Sequence, residues 1–195
     1  MKTLTKTLIV SALAAIVLTS PITPTFAASL NHKLLSFKTG AITFNKVIVS
    51  GNVKVILIKG QEEEVRIDEY YNSSKTTIAR KGFHLLINST EKHPVTIIVT
   101  VKDLNRIQAS GNATVITKGI LNLQCLQIFL HDNATADVKT NANSMYTVLK
   151  GESILKLSGT ADSHTYMASN MGNINFDDFI CQKTNKLSAE QIASK

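Results

Sequence analysis

The chain has 195 residues, with 21 Lys and Arg against 14 Asp and Glu, two Cys and no Trp. The positive excess is dispersed: lysines recur throughout, and guanidinium groups come only from Arg66, Arg80 and Arg106. A nucleic-acid reader gathers basic residues into a stripe with interleaved aromatics, so nucleic acid is excluded and only a mild attraction to anionic polymers remains.

Residues 1–27 read as a secretory signal peptide. Lys2 and Lys6 form the positive start, Leu8 to Leu18 the apolar middle, and Thr25-Phe26-Ala27 sets small residues before a cut. The apolar stretch is too short and interrupted for a membrane span, although an uncleaved anchor is the rival reading. The expectation is an exported chain of about 168 residues with no stable span after cleavage. That length is one domain, enough to bury a core.

Residues 28–41 read as an extended, loosely held N-terminal arm. From Phe44 the pattern becomes strands: Val47, Val49, Val53, Val55 and Leu57 keep a period of two through Gly51. Gln61 to Glu64 reads as a solvated turn. Ile78 to Arg80 and Phe83 to Asn88 flank Lys81-Gly82 as a hairpin, and Pro94 opens a β-branched strand, Val95 to Val101. After the turn at Lys102 to Asn105, apolar rows recur. They are Ile107, Ala109, Ala113 and Val115, then Leu126, Ile128, Leu130, Ala134, Ala136 and Val138. Tyr146, Val148, Ile154, Leu155 and Leu157 form the next, and Tyr166, Met167, Ala168, Ile174 and Phe176 the last. Helical spacing is confined to Leu187 to Ala193, a short terminal helix or a frayed tail.

These rows hang on a recurring phrase: Ser50-Gly51-Asn52, Ser110-Gly111-Asn112, His131-Asp132-Asn133, Lys150-Gly151-Glu152 and Met171-Gly172-Asn173. Glycine tolerates φ > 0, and Asn or Asp comes closest among other residues. Gly51, Asn52, Gly111, Asn112, Asp132, Asn133, Gly151, Gly172 and Asn173 are therefore assigned as structural turn residues. Steps near 20 residues, with about three repeats fitted between the first two copies, predict an all-β fold. It is read as a β-solenoid, a β-helix-like stack of short strands over residues 42–182, followed by a polar C-terminal tail at 183–195. In such a stack Cys125 and Cys181 lie roughly 14 Å apart, beyond disulfide reach. Two separate thiols, at least one of them buried, are expected.

Chemistry is sparse. His131-Asp132 and Asp162-Ser163-His164 bring imidazole near carboxylate, but a metal needs three or four convergent ligands, and none is assigned. Neighbours on a strand face opposite ways, so Asp162, Ser163 and His164 cannot form a relay. The carboxylates of Glu62, Glu63 and Glu64, and of Asp177 and Asp178, lack the aromatic platform that glycoside chemistry uses. No catalytic residue and no cofactor is assigned.

Phe44 to Val53, Pro94 to Val101, Leu104 to Ala113, Leu126 to Lys139, Leu157 to Asp162 and Gly172 to Asn175 together resemble the auto-transporter adhesin head domain, or GIN domain. This is a family of exported bacterial proteins common in Bacteroidetes. The resemblance covers most of residues 42 to 180. It implies a β-solenoid-like fold and surface or envelope placement, and it supplies no enzymatic activity and no catalytic residues. The expected function is a non-enzymatic envelope or cell-surface interaction domain, located in the periplasm, at the outer membrane surface or outside the cell. An envelope glycan or a surface protein is the expected partner, and open strand edges are compatible with a homo-oligomer. Exposed Lys54, Lys59, Thr114, Lys118, Thr135, Lys139 and Lys156 are the expected contact rows. The alternatives are a carbohydrate-active β-helix enzyme and a purely structural periplasmic protein.

Overall fold

The computed structural model describes residues 35–38, 44–67 and 71–188, all within one unit spanning His32–Lys195. The expected signal peptide, most of the N-terminal arm and all but the first two residues of the expected terminal helix lie outside the described residues. The fold is all-β: among the described residues thirteen strands join in one strongly curled sheet. In chain order they are β1 (Leu35–Lys38), β2 (Lys46–Gly51), β3 (Val53–Lys59), β4 (Glu64–Ile67), β5 (Thr76–Lys81), β6 (His84–Ser89) and β7 (Val95–Val101). There follow β8 (Arg106–Ser110), β9 (Thr114–Lys118), β10 (Leu121–Leu130), β11 (Thr135–Leu149), β12 (Ile154–Ala168) and β13 (Ile174–Lys186).

The period of two explains both the strands and their curl. Val47 and Val49 of β2, Val53, Val55 and Leu57 of β3, and Ile107 and Ala109 of β8 all turn inward and are buried, while Lys54 and Lys59 face solvent. Each buried Val, Ile or Leu contributes about 1.5–3 kcal/mol. The inward row bends at each Gly corner, so two arms of the sheet enclose one core.

Most pairings are parallel and hold their register. On one arm Ile107 aligns with Ile128, Ile128 with Thr147, Thr147 with Tyr166, and Tyr166 with Lys186. On the other, Val55 aligns with Val115, Val115 with Ala136, Ala136 with Leu155, and Leu155 with Ile174. The 15-residue β11 spans both arms, pairing with β9 at one end and β10 at the other.

Three expectations change. The first two copies of the turn phrase are not separated by further repeats, because Ser50 aligns directly with Ser110. The intervening chain moves outward: β6 and β7 add to the far edges of β2 and β3, and β5, β4 and β1 close the outside in antiparallel fashion. The outer corner opposite Ser50-Gly51 is Asn88-Ser89, which has no glycine to betray it.

The second change is phase. Thr147, not Val148, aligns with Ile128 and is fully buried, and Ile154 is half exposed. A threonine holds an inward position here because its hydroxyl has a partner, the buried ring of His164.

Thirdly, both thiols are free, but neither is buried. Cys125 is exposed because the alternation of β10 breaks there, leaving Gln124 and Cys125 both outward before Leu126 turns in, and Cys181 is half-buried on β13. At the boundaries, Leu35–Lys38 of the expected loose arm pair with β4, and β13 continues to Lys186, past residue 182.

Candidate functional site: an amide-lined face on the parallel ladder

The assigned turn residues form a column. Gly51, Gly111 and Gly151 have φ of 80°, 70° and 68°, and Asp132, at 59°, is the one non-glycine with positive φ among the described residues. A Cβ on Gly111 would stand 3.1 Å from the amide nitrogen of Gly51, and one on Gly151 would stand 3.0 Å from the carbonyl oxygen of Asp132. Asp132 holds the column by accepting the Gly111 N–H at Oδ2 (3.0 Å), and Asn133 donates to Oδ1 of Asn112 at 3.3 Å. Asn52 donates to the carbonyls of Glu91 and Lys92. Gly172 and Asn173 lie in a short 3-10 turn, Met171–Asn173. The polar groups in the column are spent on backbone and on one another.

Asp162 and His164 lie two residues apart yet end on opposite faces, because the in-out alternation of β12 breaks at Ser163, as it does at Ser144 of β11 and Cys125 of β10. Asp162 is exposed and accepts from Gln182, and the Ser163 hydroxyl donates to the carbonyl of Asn143. His164 is buried, its Nε2 lies 2.9 Å from Oγ1 of Thr147, and the rings of Tyr166, Phe176 and Phe179 surround it at 5.4–5.5 Å. Burial pushes the imidazole down to about 4, so it is neutral at neutral pH and serves as core.

Where β10, β11 and β12 cross between the two arms, outward side chains fall into two polar rows. In one, Asn141 donates through Nδ2 to Oδ1 of Asn122 (3.1 Å) and accepts at Oδ1 from the Thr160 hydroxyl (3.0 Å). In the other, Asn143 donates to Oε1 of Gln124 (3.0 Å), and Gln182 donates to Asp162 (3.3 Å). Between them Leu123, Ala142 and Ala161 turn inward. Asp103 completes the rim of a groove of about 450 Å³.

Sequence reasoning passed over these amides, although Asn122-Leu-Gln124, Asn141-Ala-Asn143 and Thr160-Ala-Asp162 share a polar-apolar-polar pattern at a step of 19. A second groove, about 590 Å³, is lined by Asp137, Lys139, Lys156 and Asp178. Of the expected contact residues it holds Lys139 and Lys156, while Lys54, Thr114 and Thr135 align in a row on the same arm. Lys59 donates to the carbonyl of Asn122, and Lys118 aligns with Ile58. An apolar hollow of about 380 Å³ by β5 is lined by Val65, Tyr71, Ile78 and Leu85. Among the described residues no group of three or more His, Cys, Asp or Glu gathers to hold a metal ion. No described helix is long and apolar enough to cross a membrane.

Three solved structures share the fold. A "putative adhesin" from Parabacteroides merdae is 18% identical, with 80% of this chain and 78% of that one covered and a TM-score of 0.51. A "putative lipid binding protein" from Parabacteroides distasonis is 12% identical, with 78% and 77% covered and a TM-score of 0.56. A "putative adhesin" from the same species is 16% identical, with 80% and 78% covered and a TM-score of 0.55. None of these names describes an enzyme. A comparison with curated proteins finds no match. The family model described as "Putative auto-transporter adhesin, head GIN domain" matches residues 43–189, and the chain belongs to that family.

Proposed function

We propose that the chain is an exported, non-enzymatic interaction domain of the bacterial envelope or cell surface, built as a β-solenoid and contacting an envelope glycan or surface protein. The observation that carries this reading is the pair of outward polar rows on the parallel ladder. Repeated rungs about 4.8 Å apart offer a polymer the same hydrogen-bonding pattern several times over. The solenoid reading is supported by the parallel register with offsets of 19–21 residues between aligned positions. Family membership supports the surface role, and the signal-peptide pattern of residues 1–27 supports export.

The test is to express the full chain with its leader in a Bacteroidetes host and follow it by mass spectrometry, cell fractionation and protease shaving of intact cells. The expected result is a mature chain beginning at Ala28, in the envelope or medium, that binds isolated envelope material. An uncleaved chain confined to the cytosol would overturn the reading.

A further inference from the structure

We infer that the groove bordered by Asn122, Gln124, Asn141, Asn143, Asp103 and Asp162 binds an uncharged, hydroxyl-rich glycan strand running across the rungs of the ladder. The inference rests on the surface-interaction reading and names the ligand class of that same face. Three features of the groove select this chemistry.

The first is hydrogen-bonding capacity. A side-chain amide has two N–H donors and an acceptor oxygen. The ladder bonds spend one N–H of Asn141 and one of Asn143, leaving the second of each, and the amide oxygens of Asn122 and Gln124 each retain a lone pair. Asp162 and Asp103 add acceptors at the rim. Sugar hydroxyls both donate and accept, so a mixed array of this kind can satisfy them.

The second is spacing. Successive rungs repeat at about 4.8 Å, close to the advance of one sugar ring along an extended chain. The row from Gln124 through Asn143 and Asp162 to Gln182 crosses four strands, room for about three rings.

The third is what the groove lacks. Its apolar residues Leu123 and Ala142 are buried, and no aromatic or Arg lines it, so it has neither the anchor that dominates protein interfaces nor a platform for stacking a sugar ring, and binding rests on the amide hydrogen bonds alone. Its two carboxylates, set against the Lys59 ammonium on the Asn122 carbonyl, leave it without the positive excess that would draw acidic polymers. The charged groove around Asp137, Lys139, Lys156 and Asp178 is the contrasting surface.

Affinity gel electrophoresis of the full chain tests this, with neutral polysaccharides (dextran, mannan, laminarin) against acidic ones (alginate, hyaluronate). At least one neutral polymer retards the protein, insensitively to salt, and the acidic ones do not. Asn141→Ala with Asn143→Ala weakens retardation tenfold or more, as does the shape-preserving Asn143→Asp, which keeps the assay informative should the double variant misfold. Lys81→Ala, on the outer hairpin strand β5, leaves it unchanged. Retention only by acidic polymers, or neutral binding that survives both amide changes, overturns the groove assignment while the surface reading stands. Binding to a basic peptide in place of every glycan also overturns it. Failure of the wild-type chain to bind any envelope material sinks the surface reading itself.

Discussion

At the residue scale, glycines with left-handed φ divide by what a methyl group would meet. Gly82, with φ of 58°, has nothing within 4 Å of a built Cβ, whereas on Gly159, with φ of 105°, a Cβ would stand 2.1 Å from the carbonyl oxygen of Thr140. Gly82→Ala therefore costs about 1–2 kcal/mol of backbone strain. Gly159→Ala adds a backbone clash to that strain and costs upwards of about 3 kcal/mol. Chemical denaturation of both variants checks the ranking; equal losses would contradict it.

His164 makes a pH prediction. Its folded value is depressed from 6.5 to about 4 by burial, so between those values the unfolded chain binds the proton more readily than the folded one. Stability is complete above pH 6.5 and falls as pH drops towards 4. The expected loss is about 2 kcal/mol, less than the full shift would give because the imidazole sits near the outer end of the ladder. Glu91 makes a separate contribution. It is held below the ordinary carboxylate value of 4.5 by hydrogen bonds from the Asn72 N–H and the Thr76 hydroxyl, and its stabilisation fades only at lower pH. Denaturation midpoints across this range should fall for the wild type and stay flatter for His164→Phe. Parallel curves would contradict the burial argument.

At the scale of strands, legibility followed from how far a position depends on its own residue type. The row Ile107, Ala109, Ala113 and Val115 could be read because every member is apolar and fully buried. The phase of β11 could not. Thr147 takes an inward place only because His164, 17 residues on, meets its hydroxyl, and a local pattern carries no trace of that partner. The outer corner at Asn88-Ser89 escaped for a similar reason, since Gly51 supplies the positive φ while its neighbour supplies only Asn and Ser.

The amide rows were written in the sequence as a step of 19, yet single Asn and Gln residues on a strand look like ordinary solvent-facing positions until alignment brings them together. Such alignment predicts unequal costs of truncation. Ile128→Ala, in a fully buried row, should cost about 2–5 kcal/mol. Asn122→Ala, on the exposed face, should cost about 1 kcal/mol or less. Urea titration of the two variants measures the gap, and similar losses would mean that Ile128 does not face the core.

For the whole molecule, the order of strands in space differs from their order in sequence, and that difference builds the surface. β2 and β3 lie between the outer pair β6 and β7 and the later strands, so residues 60 apart become neighbours at the Ser50–Ser110 corner. From there the register runs unbroken through β10, β11 and β12, and it alone brings Asn122, Asn141 and Thr160 into a row. The dispersed positive charge has no comparable organisation: Lys139 and Lys156 share their groove with Asp137 and Asp178, and Lys156 aligns with Asp137 on the neighbouring strand.

The measurement that bears most directly on this alignment is a cysteine-pair experiment in a Cys125→Ser, Cys181→Ser background. Ser50→Cys with Ser110→Cys should close a disulfide under mild oxidation, seen as a loss of two mass units and two titratable thiols, because aligned neighbours on adjacent strands fall within bonding reach. Lys54→Cys with Lys156→Cys, separated by β9 and β11, should stay reduced. A Ser50–Ser110 pair that remains reduced would mean that other strands lie between them, and the aligned ladder with its polar rows would not exist.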